Sequence, residues 1–264
     1  MAWTDYIELL RLKFHWSFLI VIITMLFFVN EITLDLFKTL IVLYFSFNIL
    51  LYGGIYTINS IVDIKSDKKH PLKKYRPIPA GKIRVTSALA FSIVLILLGL
   101  LTGWMLFNVN VFYIYLIFLF INLLYTFIIK SIPYLDLFAN TVTHPLRVMM
   151  ALAIINYNNI PYLLIVAYFL FGLGVVSLSR KIEKDMLGWK ARKVLKHYST
   201  NKLKLIQVLS FITIIILAII DYPEFKLFYL LIIIIYVVFI FGIYVSNKIR
   251  TFWKVMYNWG WKNK

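Results

Sequence analysis

Eight long apolar runs leave this chain few ways to fold. They cover residues 16–29, 36–60, 87–107, 111–129, 134–155, 161–179, 203–220 and 225–246. About 20 helical residues cross a hydrocarbon core, and only helices or closed barrels satisfy their own backbone there. The runs are continuous rather than alternating, which predicts helices. The first is short, and the mixed segment "MAWTDYIELLRLKFH" before it either extends it or lies along the interface. Of the 264 residues, 62% are hydrophobic, whereas a soluble domain is nearer half. The expectation is all-α: a polytopic membrane bundle of about eight helices around a central polar cavity open to the cytoplasm. No cleavable signal peptide is read at the start. The chain has no cysteine, which excludes a disulfide frame, a thiolate metal site and a cysteine nucleophile. Without a repeat or long linker, residues 1–264 read as one domain.

Charge tests the number of spans. The net charge is +17. In a soluble protein this would point to nucleic acid, but in a membrane chain it reports topology and anionic lipid, so no nucleic-acid partner is expected. The segment 61–85 holds eight Lys and Arg, 180–204 nine and 247–264 five, together 22 of the 28. With eight spans all three fall on one side, along with Arg11, Lys13 and Lys130. The opposite loops, "NEITLD", "NVN", "NYNNI" and "DYPE", hold none. The positive-inside rule then predicts a multi-pass protein of the cell membrane with both termini cytoplasmic. The tail "FWKVMYNWGWKNK" reads as an interfacial anchor.

The stretch "NSIVDIKSDKKHPLKKYRPIPAGKI" ends the second run. Asn59, Asp63 and Asp67 are spaced i, i+4, i+8, which puts them on one helical stripe. Two carboxylates and an amide oxygen suit a hard cation such as Mg²⁺, which commonly shares its coordination with substrate phosphates. The neighbouring Lys68, Lys69, Lys73, Lys74 and Arg76 would clamp the same anion. The plainer alternative is a capped helix end followed by a basic loop.

The fifth run carries Asp136, Asn140, His144 and Arg147, again spaced for one face. Arg147 is about 20 Å along that helix, at ~1.5 Å per residue. A charge there costs at least ~2.5 kcal/mol, so it must meet a cavity or a partner. An Asp–Arg pair between helices would serve, as would a phosphate contact shared with His144. Pro145 frees a backbone carbonyl, which suits a cavity wall. A third constellation, "SLSRKIEKDMLGWKARKVLKHYS", places Arg180 and Glu183 on one face, and either Glu183 or Asp185 is a candidate to complete a metal site. It also reads as a solvated amphipathic helix. Tyr125 and Lys130 near the end of the fourth run are substrate candidates.

Asn59-x-x-x-Asp63-x-x-x-Asp67 followed by "RPIPAG" resembles the first aspartate-rich motif of UbiA-type intramembrane prenyltransferases. "LLYTFIIKSIPYLD", with Tyr125 and Lys130, is similar to their fourth-to-fifth helix segment. The resemblance covers 59–199, about half the chain. "SRKIE" and "GWKARKVLKHYS", with Arg180, Glu183 and Lys190, resemble the decaprenyl-phosphate phosphoribosyltransferase branch. So does the continuation through His70, Pro71, Lys73, Arg76, Pro77 and Ile78. The usual second motif, with carboxylates four residues apart, is not present after Asp185. Ser60 stands where an Asp is usual, and nine spans are usual where eight are counted.

The resemblance implies an Mg²⁺-dependent transferase releasing pyrophosphate. Asp63, Asp67, Lys130 and Arg147 would be catalytic, and Asn59, Asp63 and Asp67 would hold the metal. Lys73, Arg76, Tyr125, Asp136, Asn140, His144, Arg180, Glu183 and Lys190 would bind substrate. The expected partners are an isoprenoid lipid, a pyrophosphate-bearing donor and the bilayer, with oligomerisation left open. A prenyl donor with an aromatic or lipid-hydroxyl acceptor is the enzymatic alternative. A transporter would call for inverted repeats and broken helices in matching halves. A scaffold would tolerate change at Asp63 and Asp67.

Overall fold

The computed structural model of the protein describes residues 3–188 and 192–259, and among these every regular element is a helix. The α-helices, in chain order, are α1 (Trp3–Leu9), α2 (Leu19–Phe28), α3 (Leu34–Leu43), α4 (Gly53–Val62), α5 (Ile64–Asp67), α6 (Val85–Leu106) and α7 (Val109–Phe127). Then follow α8 (Leu135–Val142), α9 (Pro145–Ile154), α10 (Tyr162–Leu187), α11 (Thr200–Ile220), α12 (Lys226–Ile235), α13 (Gly242–Val245) and α14 (Asn247–Trp259). Seven stretches are long and apolar enough to cross a membrane, and an eighth is counted if the bent pair Trp3–Leu9 and Phe14–Phe28 is one span. The chain is an integral multi-pass membrane protein. Leu97, Leu101, Ile216 and Ile219 project from α6 and α11 and are more than half exposed. Such apolar surface is stable against lipid, not water.

Two compact units make up the chain. The first holds Met1–Phe127 and Leu146–Ile160. Its longest member is the rod Leu34–Val62, in which a π-helical segment, Tyr44–Tyr52, joins α3 to α4. Thr33 caps the rod by accepting the Leu36 N–H at 3.2 Å. α6 lies close against it because glycine removes the obstacle. A Cβ on Gly99 would stand 2.7 Å from the Leu51 backbone nitrogen. Within this apolar seam Ser46 and Thr102 share a hydrogen bond of 2.7 Å, and Tyr115 donates to Ser46 at 3.1 Å.

The second unit holds Ile128–Pro145 and Pro161–Lys264. Here α10 packs along α11 and α8. Tyr236 and Tyr244 donate to Gln207 of α11, to its backbone and side-chain oxygens, each at 2.8 Å. A second π-helical segment, Tyr236–Phe241, precedes α13. The tail is helical as α14, and Trp253 donates its indole N–H to the Phe239 carbonyl at 2.7 Å.

Gly99→Ala should lose about 1–3 kcal/mol, the usual cost of overpacking. Thermal unfolding of the purified protein in detergent measures it.

Candidate active site

The first motif keeps its sequence spacing in space. Asp63 N–H donates to the Asn59 carbonyl at 3.0 Å, and Asp67 N–H to the Asp63 carbonyl at 2.8 Å. The i→i−4 ladder therefore runs from α4 through Asp63 into α5. Asn59 Oδ1 is buried with no hydrogen-bond partner among the described residues. Asp67 is 3% exposed, and Arg76 donates to its Oδ2 at 2.5 Å.

The loop after the motif is shaped by its own sequence. His70, also buried, accepts the backbone N–H groups of Leu72 and Lys73 at its Nδ1, at 3.1 and 3.2 Å. "RPIPAG" closes a turn in which Ala80 bonds back to Arg76 and Gly81 to Ile78. Gly81 has φ +76°, which glycine adopts without strain. Ile78 and Ile83 are buried with Leu9 of α1 and Ala88 of α6. This apolar anchor holds Arg76 over the motif, while Lys73 is half-buried on a single 3₁₀ turn. Burial, then the positive charge of Arg11, lowers the Arg76 pKa to about 10, against the opposing pull of Asp67 and Asp63. It remains a cation at neutral pH.

Arg11 was not among the expected site residues. It takes a left-handed backbone, φ 53°, and donates to Ser60 Oγ at 2.8 Å. Its guanidinium lies 4.9 Å from the Tyr56 ring centroid. Ser60, the departure from the aspartate-rich pattern, thus meets a cation. Arg11 is 49 positions away in sequence, and no local pattern announces the pairing.

Arg147 is 1% exposed in the first unit. Its guanidinium lies 5.1 Å from the Phe118 ring, 5.2 Å from Tyr52 and 5.8 Å from Phe47. Such cation–π contacts ease burial of the charge. Tyr52 also accepts the Tyr56 hydroxyl at 2.7 Å. Tyr125 near the end of α7 is half-buried.

The expected stripe from Asp136 to Arg147 is not one helix. α8 ends at Val142 and α9 starts at Pro145, because proline lacks an N–H and its ring obstructs the preceding turn. Asp136 is fully buried in the second unit, where Arg180 Nε donates to it at 3.0 Å and the Tyr198 hydroxyl donates to its other oxygen. Burial, and that hydrogen bond, push the Tyr198 pKa up, so the phenol stays a donor. Tyr198 in turn accepts the Tyr134 N–H at 3.0 Å, and Tyr134 starts α8 at φ 64°. His144 stands where a Gly172 side chain would otherwise meet it, at 3.3 Å. Asn140 is half-buried on α8, its carbonyl accepting from Thr143 at 2.8 Å. Lys130 is half-buried on the turn Ile129–Ser131.

Glu183 is bracketed by Arg180 at 3.7 Å and Arg192 at 3.6 Å. Asp185, half exposed, pairs with Lys181. Lys190 lies outside the described residues.

Among the described residues no three acidic or histidine side chains converge as a metal cage. The orphaned Asn59 oxygen beside Asp63 and Asp67 fits Mg²⁺ in its other mode, in which a few protein oxygens are supplemented by phosphate oxygens and water.

Comparison with known proteins decides the lineage. A profile of the UbiA prenyltransferase family matches residues 17–257. The chain belongs to the UbiA prenyltransferase family. It is similar to decaprenyl-phosphate phosphoribosyltransferase of Mycobacterium tuberculosis, 28% identical over 168 residues, covering 61% of this chain and 54% of that one. It is also similar to digeranylgeranylglyceryl phosphate synthase of Methanocaldococcus jannaschii, 38% identical over 71 residues, covering 27% and 24%. The chain thus spans about half the length, or less, of these curated relatives. A UbiA homologue from Archaeoglobus fulgidus, bound to GPP and Mg²⁺, superposes with a TM-score of 0.75 at 20% identity, covering 97% of this chain and 96% of that one. That likeness is one of fold.

Within this UbiA protein, Asp136→Asn should cost about 3–5 kcal/mol, since Arg180 would keep its burial and lose the nearer of the carboxylates it pairs with. Asp185→Asn, at a half-exposed pair, should change stability by less than about 1 kcal/mol. Parallel thermal melts separate the two.

Proposed function

We propose that this UbiA-family protein transfers a phosphoribosyl group from phosphoribosyl pyrophosphate to a polyprenyl phosphate, at the cytoplasmic face of the cell membrane. The observation that carries the reading is Arg147, a guanidinium buried among three aromatic rings in a membrane span. Intramembrane cations are functional by default. An acceptor that is itself a phosphate asks for an anion site besides the one for the leaving group. The extent of similarity to the mycobacterial phosphoribosyltransferase, 168 residues, supports the same reading.

In the proposed reaction the bond from the anomeric carbon to pyrophosphate breaks, and a lipid phosphate oxygen forms a new bond to that carbon. Arg76 and Lys73 bind the departing pyrophosphate, and Arg11 adds positive charge beside them. Asn59, Asp63 and Asp67 would hold Mg²⁺, which supplies Lewis-acid neutralisation of the leaving group when bound. Fixed charges aimed at the leaving group act without reorganising. Arg147 orients the acceptor phosphate. Lys130 and Tyr125 are assigned to the same substrates. Asp136, Tyr198, Arg180 and Glu183 are positioning residues of the second unit, because their hydrogen bonds and ion pairs are already made within that unit.

A prenyl diphosphate donor with a lipid-hydroxyl acceptor is the second reading. It is favoured by the 71-residue similarity to digeranylgeranylglyceryl phosphate synthase.

Purified protein with Mg²⁺ should release pyrophosphate from phosphoribosyl pyrophosphate when polyprenyl phosphate is added. It should not do so from geranylgeranyl pyrophosphate with hydroxyl or aromatic acceptors. Asp63→Ala should lower turnover at least about 100-fold, the scale for losing electrostatic stabilisation of developing charge. Turnover only with the prenyl donor would replace this reading by the second.

A further inference from the structure

Two lysines from different helices converge on the ring of Tyr244. Lys181 of α10 lies 5.6 Å from the ring centroid, and Lys204 of α11 lies 5.2 Å from it. Tyr244 itself belongs to α13, and all three residues are in the second unit. The ring is fixed from the inside. Its hydroxyl donates to Gln207 Oε1 at 2.8 Å, and Gln207 is fully buried.

The charge at this ring is not balanced. Lys181 pairs with Asp185. Lys204 is exposed, and among the described residues no carboxylate pairs with it. A ring holds an exposed cation only weakly, and two cations drawn to one ring repel each other. An anion that reached both would relieve that repulsion.

The place in the fold selects the kind of anion. Lys181 is near the end of the span Tyr162–Leu187, Lys204 near the start of Thr200–Ile220, and Tyr244 next to the last residue of Pro223–Val245. Three span ends thus meet at one boundary of the membrane, where the charged head groups of anionic lipids attract basic side chains. The chain then runs directly into α14, which also touches α10. Its Ile249 fills the space that a Gly242 side chain would need, and Phe252 packs on Phe239 with ring centroids 5.6 Å apart. Lys248, Arg250 and Lys254 of the same helix are exposed. Arg250 donates to the Ile243 carbonyl at 3.4 Å, one residue from Tyr244. A helix with one apolar side and several exposed cations suits the surface of an anionic bilayer.

We propose that the ends of α10, α11 and α13 form a binding site for the phosphate of an anionic phospholipid. Lys181 and Lys204 contact the phosphate, Tyr244 holds the two lysines at one place, and the cations of α14 raise the local positive potential. A zwitterionic lipid brings its own cation and binds less well. The site does not depend on which donor or acceptor the enzyme uses.

The test follows the melting temperature of the purified full-length protein in detergent as phosphatidylglycerol, phosphatidylcholine or inorganic phosphate is added. Phosphatidylglycerol should raise it for wild type at lower concentration than phosphatidylcholine, and inorganic phosphate at the same concentrations should not. Lys204→Gln should raise the half-saturating phosphatidylglycerol concentration about fivefold, the worth of one basic side chain at an anionic surface. Lys181→Gln with Lys204→Gln should raise it roughly ten- to thirtyfold. Lys38→Gln with Lys226→Gln removes the same charge elsewhere, Lys226 being at the other end of Tyr244's own span, and should leave the response within about twofold. Lys204 is exposed, so its single variant reports on the site even if the double variant fails to fold. An unchanged response in Lys204→Gln would overturn the proposal. So would equal weakening by the Lys38 and Lys226 pair, which would reduce the effect to net charge, and so would an equal shift from phosphatidylcholine or from inorganic phosphate alone.

Discussion

A guanidinium cannot be left bare in hydrocarbon, and the arrangement of the first unit follows from that constraint. Arg147 loses its water on insertion. Rings from the Tyr44–Tyr52 segment and from α7 take over part of the water's work. Placing two of those rings one above the other requires residues 47 and 52 to share a face. An α-helix does not do this, and a π-helix does. The segment is therefore no irregularity of the span but the local geometry that the buried charge calls for. The glycine at position 99 then lets α6 close against the same rod at Leu51.

The second unit solves the same problem with opposite charges. Arg180 lies against Asp136 and near Glu183, and Glu183 lies between Arg180 and Arg192. Buried ion pairs contribute little net stability, but removing one member is expensive because the other stays charged. Such a chain of pairs is better at fixing positions than at adding stability. It orients Tyr198, which holds the start of α8 through Tyr134 despite the unfavourable φ there.

How much of this the sequence disclosed depends on the range of the interaction. Seven spans, with an eighth if the bent pair is one span, were legible because about twenty apolar residues admit few alternatives. The ladder Asn59–Asp63–Asp67 was legible because one helical period relates its members. The stripe from Asp136 to Arg147 obeyed the same arithmetic, yet Pro145 lies within it, and proline interrupts the period on which the arithmetic rests. Arg11 with Ser60, and Asp136 with Arg180, join residues 49 and 44 positions apart, so periodicity has no access to them. The π-helical segment was hidden for another reason: "YFSFNILLY" is an ordinary apolar stretch for a membrane α-helix, and only the demand of Arg147 on residues 47 and 52 distinguishes it.

The partners of the carboxylates also bear on where a divalent ion can be held. Asp136 and Glu183 face cations within their own unit, and Asp185 is paired with Lys181. To ligate a metal, either buried carboxylate would have to give up an arginine and leave that arginine charged in a dry place, a loss of several kcal/mol. Asn59 faces no such competition, since its Oδ1 has no hydrogen-bond partner among the described residues. Asp67 gives one oxygen to Arg76 and retains the other. The energetic argument therefore concentrates metal binding on the first motif, consistent with a sequence that lacks a second pair of carboxylates four residues apart. A cation held by Asn59, Asp63 and Asp67, with Arg76 competing for one carboxylate, would be bound weakly until phosphate oxygens joined it. Metal and donor would then bind cooperatively, each stabilising the other's position, and the basic loop anchored by Ile78 and Ile83 supplies the charge that makes the joint binding favourable.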